Sequence, residues 1–222
     1  MSEFAVKVQN PITVPIINRD EKFPVNVVYC VGRNYVKHVK ELGNDTNQPP
    51  IFFSKPAWTV CLSGSKITYP PSTIDLQHEV ELVIALGNNR TIYGIAVGVD
   101  LTKRDVQKKS KQTGAPWFSS KVFSGASPIS SIFCIENNYD FSKLYLTLKV
   151  NDLIRQEAYC SKMIWNPTEI VKELSKEVDL KPGDLIFTGT PAGVGKIKRG
   201  DKVNAEITGI TRIEFKIIDR ER

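Results

Sequence analysis

Histidine is almost missing from this sequence: His38 and His78 are the two in 222 residues. A histidine-built zinc site is therefore excluded, and neither G-x-S-x-G nor a phosphate-loop pattern occurs. No run approaches the roughly 18 apolar residues of a membrane-crossing helix. The N-terminus lacks a basic stretch followed by an apolar run, and lacks an Arg-rich amphipathic face. Neither a secretory signal nor a transit peptide is expected, and a cytoplasmic protein is the simple reading. The four cysteines, Cys30, Cys61, Cys134 and Cys160, form no C-x-x-C pair and read as reduced structural thiols.

What is present fits a folded domain. Hydrophobic residues make up 41% and charged residues 24% of the chain, ordinary values for a globular protein. The net charge is +6, with a pI near 9.1. Basic residues are spread out except at Lys103, Arg104, Lys108, Lys109 and Lys111. No aromatic residues interleave with that group, so nucleic acid is not an expected partner. It reads as a solvated helix face, or as a positive field that draws small dicarboxylates.

Hydrophobic patterning predicts many short strands and few helices, hence a β-rich fold. Residues 1–24 read as an N-terminal arm or added strand, and residues 25–222 as the main domain. A buried strand at 27–31 leads into a short helix over 35–42, closed by Gly43. Residues 78–86 and 92–99 read as longer strands. Thr102 to Asp105 resembles a capping box that opens a helix running to about Gln112. Asn166-Pro167-Thr168-Glu169 opens another with a cap, a first-position proline and a glutamate three residues after the cap.

Within residues 78–86, strand alternation sends Glu79 and Glu81 to one face. The strand is apolar on both faces, so two adjacent carboxylates there need a cation. Arg or Lys in an ion-pair network is one answer. A hard divalent metal held by oxygen ligands is the other, and spacing alone leaves both open. Asp100 ends the strand over 92–99 just before a helix, where a carboxylate can face a cleft. It reads equally well as an ordinary residue favoured by the helix dipole. His38 and Glu41 share a helix face at i,i+3: a base with its orienting carboxylate, or a surface pair. Lys121, between Trp117 and Phe123, either binds a carboxylate or reaches out to water. His78 reads as a packed residue. The Gly-rich turn over 188–195 offers backbone N–H groups to an anion, or is a plain tight turn.

Taken together, VYCVGRNYVKHVKELG, IFFSKP, LQHEVELVIALG, VDLTKRDVQ, PWFSSKVF, VNDLIRQ and LKPGDLIFTGTPAGVG resemble the fumarylacetoacetate hydrolase family, in particular its acylpyruvase-like members. The resemblance covers nearly everything from Val27 onward. It implies an α+β, β-rich fold of the mixed β-sandwich roll type and a homodimeric assembly. It implies Mg²⁺ or Mn²⁺ on Glu79, Glu81 and Asp100, a His38–Glu41 catalytic dyad on a lid, and Lys121 as an active-site lysine. Arg104, Gln107 and Thr190 match positions lining the substrate pocket. The implied activity is C–C bond cleavage in a small 2-oxo acid, by acylpyruvate hydrolysis or oxaloacetate decarboxylation. Keto–enol tautomerisation on the same site is the alternative, and an inactive small-molecule-binding protein is the rival from another class. One departure is the short connection over 87–94, where family members carry a helix.

Overall fold

A computed structural model describes residues 5–7, 9–41 and 49–219. The expected helix stop at Leu42 and Gly43, and most of the polar loop behind it, lie outside them. So do both ends of the apolar segment over 4–8.

Two mixed sheets face each other. The larger has six strands, in the order Phe133–Cys134, Ile92–Val99, Val80–Leu86, Leu185–Phe187, Val27–Gly32 and Ile51–Pro56. Its one parallel pairing joins Leu185–Phe187 to Val27–Gly32. The smaller has five, in the order Leu153–Tyr159, Tyr145–Val150, Lys202–Ile207, Thr211–Ile218 and Lys66–Thr68. The helices are α1 (Val36–Glu41), α2 (Arg104–Thr113), α3 (Phe118–Lys121) and α4 (Pro167–Glu177). This is the strand-rich architecture that the patterning predicts.

Alternation along Val80–Leu86 builds the core. Val80 and Leu82 pack between the sheets against Leu146, Leu148, Val203 and Phe215. Further along the same face, Ile84 and Leu86 meet Ile170 and Leu174 of α4. Val83 and Ala85 point to the other side, where the first strands of the chain cover them. Thr13–Pro15 pairs with Lys22–Pro24, and Val14, Ile16, Phe23 and Val25 join the cluster around Val83 and Phe187. Every residue of Val80–Leu86 is buried, as a strand covered on both faces requires.

Three elements differ from expectation. Residues 78–86 are not one strand. Leu76–His78 belongs to a three-stranded ribbon with Thr102–Lys103 and Gly195–Lys196, and the large sheet begins at Val80. The chain changes sheets at Glu79. Thr102 does not cap α2: the capping position is Lys103, without a side-chain cap. The Thr102 hydroxyl instead donates to the Asp100 carbonyl and accepts from the Lys121 ammonium at 2.7 Å. A charge-assisted bond in a buried place outweighs a cap worth about 1 kcal/mol. Strand Leu153–Tyr159 goes unpredicted because six of its seven residues are exposed or partly so. The capping box at Asn166 and Glu169 is present, with Pro167 behind it. The connection over 87–94 is a 3₁₀ turn, Asn88–Arg90.

Gly98 lies directly opposite Glu81 in the sheet register. A Cβ there would come within 2.7 Å of Val83 Cγ2 and 2.8 Å of Phe187 Cζ, both in a closed core. Gly98→Ala is expected to cost about 1–3 kcal/mol, read as a lower urea midpoint at unchanged slope. An unchanged midpoint would show that this packing is not tight.

Candidate active site

The change of sheets at Glu79 creates the site. Its partner across the break is Asp100, whose backbone N–H donates to the Glu79 carbonyl at 2.8 Å. Two carboxylates thus hang from one seam between sheets. Glu81 adds a third from two residues further along, opposite Gly98 in the register. One oxygen from each of Glu79, Glu81 and Asp100 lies within 4.8 Å of the others, and all three residues are buried.

Cations hold two of the three. Lys121 Nζ donates to Glu79 Oε2 at 2.7 Å and to Asp100 Oδ2 at 2.6 Å. Arg104 pairs with the other oxygen of Glu79. Lys55 donates to Asp100 Oδ1 at 2.6 Å and to the Ala126 carbonyl at 2.8 Å. Burial pushes the Glu79 carboxyl up, but Lys121 and Arg104 outweigh it and hold the group well below the usual range. Burial likewise opposes the Lys121 charge, and Asp100 and Glu79 override it, so its pKa rises.

Glu81 stands apart. Among the described residues it has no ion pair; its Oε2 accepts from the Gly189 N–H at 2.7 Å. Burial, then the charges of Asp100 and Glu79, drives its pKa well above the ordinary value. Three carboxylates meet three cations here, yet the third carboxylate touches none of them. The donor set is all hard oxygen, it is compact, and one member lacks a positive partner. Those properties fit Mg²⁺ or Mn²⁺ and do not fit zinc.

The other expected residues gather around this cluster. His38, Arg104, Gln107, Lys121 and Thr190 line one pocket with Glu79, Glu81 and Asp100. His38 is buried, and its Nδ1 lies 3.0 Å from Glu41 Oε2. The second oxygen of Glu41 accepts from the Gly193 N–H at 3.1 Å. A carboxylate at Nδ1 calls for the N–H tautomer on that side, which leaves Nε2 as the basic nitrogen. The Gly-rich turn does cradle carboxylates, and they are the protein's own, Glu81 and Glu41. Arg104 is less free than a substrate-binding role suggests. Its Nε donates to Gln77 Oε1 at 2.8 Å and its Nη1 to Gln107 Oε1 at 2.6 Å, besides the Glu79 contact. His78 is buried away from the pocket, and burial lowers its pKa.

Two contributors escape sequence reasoning. Lys55 is fully buried and neutralises Asp100. The available signal was a lysine on the same strand face as Ile51 and Phe53. Gln156 is the other: Oε1 accepts from His78 Nδ1 at 2.8 Å and the Val80 N–H at 3.1 Å, while Nε2 donates to Thr190 Oγ1 at 2.8 Å and the Pro191 carbonyl at 2.9 Å. Thr190 accepts from Gln156, so its own proton is left for an acceptor in the pocket.

The profile of a family described as "Fumarylacetoacetate (FAA) hydrolase C-terminal" matches residues 27–218. The chain belongs to the fumarylacetoacetate hydrolase family. It is 39% identical over 200 residues to the mouse protein named oxaloacetate tautomerase FAHD1, mitochondrial, covering 86% of this chain and 90% of that one. It is 35% identical over 198 residues to oxaloacetate tautomerase YcgM of Escherichia coli K12, covering 84% of this chain and 90% of that one. A crystal structure of fumarylpyruvate hydrolase from Pseudomonas aeruginosa, in complex with Mn²⁺ and pyruvate, superposes with a TM-score of 0.93 at 34% identity. That match covers 98% of this chain and 100% of the other. Enzymes of the fumarylacetoacetate hydrolase family are thus its relatives across almost the whole length.

A metal needs Glu81 ionised, and its raised pKa makes the proton a competitor. Mn²⁺ affinity should therefore climb as pH rises above the usual carboxylate range of about 4. Titration calorimetry should show proton release as a heat that depends on the buffer. Glu81→Gln should abolish the Mn²⁺-induced rise in Tm. A pH-independent affinity, or a full Tm shift in the variant, would contradict this assignment.

Proposed function

We propose that this protein is a metal-dependent acylpyruvase, which hydrolyses the C3–C4 bond of a 2,4-dioxo acid to pyruvate and a carboxylic acid. The supporting observation is the His38–Glu41 pair, whose imidazole lines the same pocket as the three carboxylates. A proton carrier beside a candidate metal site is what water attack on a chelating keto acid requires. The near-complete match to a fumarylpyruvate hydrolase supports the same reading.

Glu79, Glu81 and Asp100 would hold Mg²⁺ or Mn²⁺, and when bound the ion supplies Lewis acidity to the oxygens of the 2-oxo acid. Thr190 donates its hydroxyl proton to a substrate oxygen. Lys121 and Arg104 keep Glu79 ionised, Lys121 and Lys55 pair with Asp100, and together they set the potential of the pocket floor. His38 takes a proton from water at Nε2 while Glu41 steadies the resulting imidazolium. The water oxygen bonds to C4. The C3–C4 bond breaks, its electron pair passing into the enolate of pyruvate. His38 returns its proton to C3, which completes pyruvate.

Tautomerisation of oxaloacetate is the second reading, favoured by the mouse and Escherichia coli relatives. It uses the same dyad to move a proton without water. Oxaloacetate decarboxylation also bypasses water. His38→Ala should therefore lower fumarylpyruvate hydrolysis about 10²–10⁴-fold and decarboxylation much less, with Mn²⁺ affinity retained. Equal losses in both reactions would remove His38 as the water-activating base. Full activity in chelator would remove the metal from the mechanism.

A further inference from the structure

Beyond the residues that pair with the acidic cluster, the pocket is also lined by Lys111. Arg104, Gln107 and Lys111 recur at i, i+3 and i+7 on α2, one stripe of the helix, and all three line the pocket. Arg104 and Gln107 are bonded to each other near the carboxylates. Lys111 lies two turns along, about 10 Å up the axis. Among the described residues it makes no hydrogen bond or ion pair. Its ammonium sits over the Trp117 ring, 5.2 Å from the centroid.

Trp117 continues inward. Its ring meets Phe53 edge-on, with centroids 5.7 Å apart, and Phe53 lies under the Lys121 ammonium at 5.2 Å. A wall of two aromatic rings therefore joins the lysine of the pocket floor to the lysine of its rim. Partial burial, then the charges of Arg104 and Arg33, pulls the Lys111 pKa below the ordinary lysine value. Among the described residues, no carboxylate pairs with the Lys111 ammonium at the rim.

We propose that Lys111 docks the far carboxylate of the substrate, and that the Phe53–Trp117 wall takes a flat, unsaturated chain between the two ends. The substrate class is then an acylpyruvate whose acyl group is planar and ends in a carboxylate. This rests on the acylpyruvase reading and sharpens it. Selectivity for the longer dianion resides in Lys111, outside the groups that carry the chemistry.

The test compares Mn²⁺-loaded wild type with Lys111→Met and with Lys109→Met, an exposed lysine on the same helix that does not line the pocket. Turnover is measured with fumarylpyruvate and with acetylpyruvate. Binding is measured by calorimetry with 2-oxoglutarate and with 2-oxopentanoate, which differ in the far carboxylate. Lys111→Met should lower the fumarylpyruvate-to-acetylpyruvate ratio of kcat/KM by about tenfold or more, mainly through KM. It should flatten the preference for 2-oxoglutarate in parallel, and Lys109→Met should leave both ratios in place. An unchanged ratio in Lys111→Met, or an equal change in Lys109→Met, overturns the subsite. Should wild type turn over neither substrate and bind neither probe, the acylpyruvase reading itself fails and the subsite falls with it.

Discussion

The Glu81 carboxylate, buried and, among the described residues, without an ion pair beside two neutralised neighbours, is the constraint on which the rest of the site depends. Isolated burial of such a charge is costly enough that the group protonates instead. Lys121, Lys55 and Arg104 satisfy Glu79 and Asp100, and the fold provides one backbone amide, at Gly189, for Glu81. That imbalance distinguishes a candidate metal site from a closed ion-pair network. The two alternatives read from the sequence are therefore not exclusive. The lysines and arginine set the charge around Glu79 and Asp100, and among the described residues Glu81 has no ion pair.

The backbone that creates this arrangement is a seam. Strand Leu76–His78 ends in one sheet and strand Val80–Leu86 begins in another, with Glu79 between them and Asp100 across from it. A regular strand through 78–86 would have placed the same carboxylates in parallel. The break lets two strands contribute carboxylates to one point. The apolar residues beyond it, Leu82 and Val83 among them, are sealed between core layers. A rigid sheet thus carries the acids, while His38 sits on α1, tied to the Gly-rich turn through Glu41 and Gly193.

Much of this was legible in the sequence because it is local. E-x-E in an apolar strand, an aspartate at a strand end and histidine with glutamate at i,i+3 each occupy a few residues. Resemblance then assigned Arg104, Gln107, Lys121 and Thr190 to the same place, and the structure gathers all four there. What stayed hidden depends on distant partners. Lys55 meets Asp100 45 residues away, and Gln156 meets His78 and Thr190 from a strand too exposed to show a pattern. Thr102 misleads for the same reason: its local sequence says helix cap, and a lysine 19 residues on claims the hydroxyl. Residues 1–24 read as an arm or added strand, and in the structure the apolar residues Val14, Ile16 and Phe23, with Val25 just after them, close one face of the large sheet.

Anomalous diffraction from crystals grown with Mn²⁺ at neutral pH bears on the central claim most directly. A single strong peak bonded to oxygens of Glu79, Glu81 and Asp100 is expected. With Mn²⁺ in excess, an absence of signal among those three side chains, or a peak confined to other residues, would contradict it.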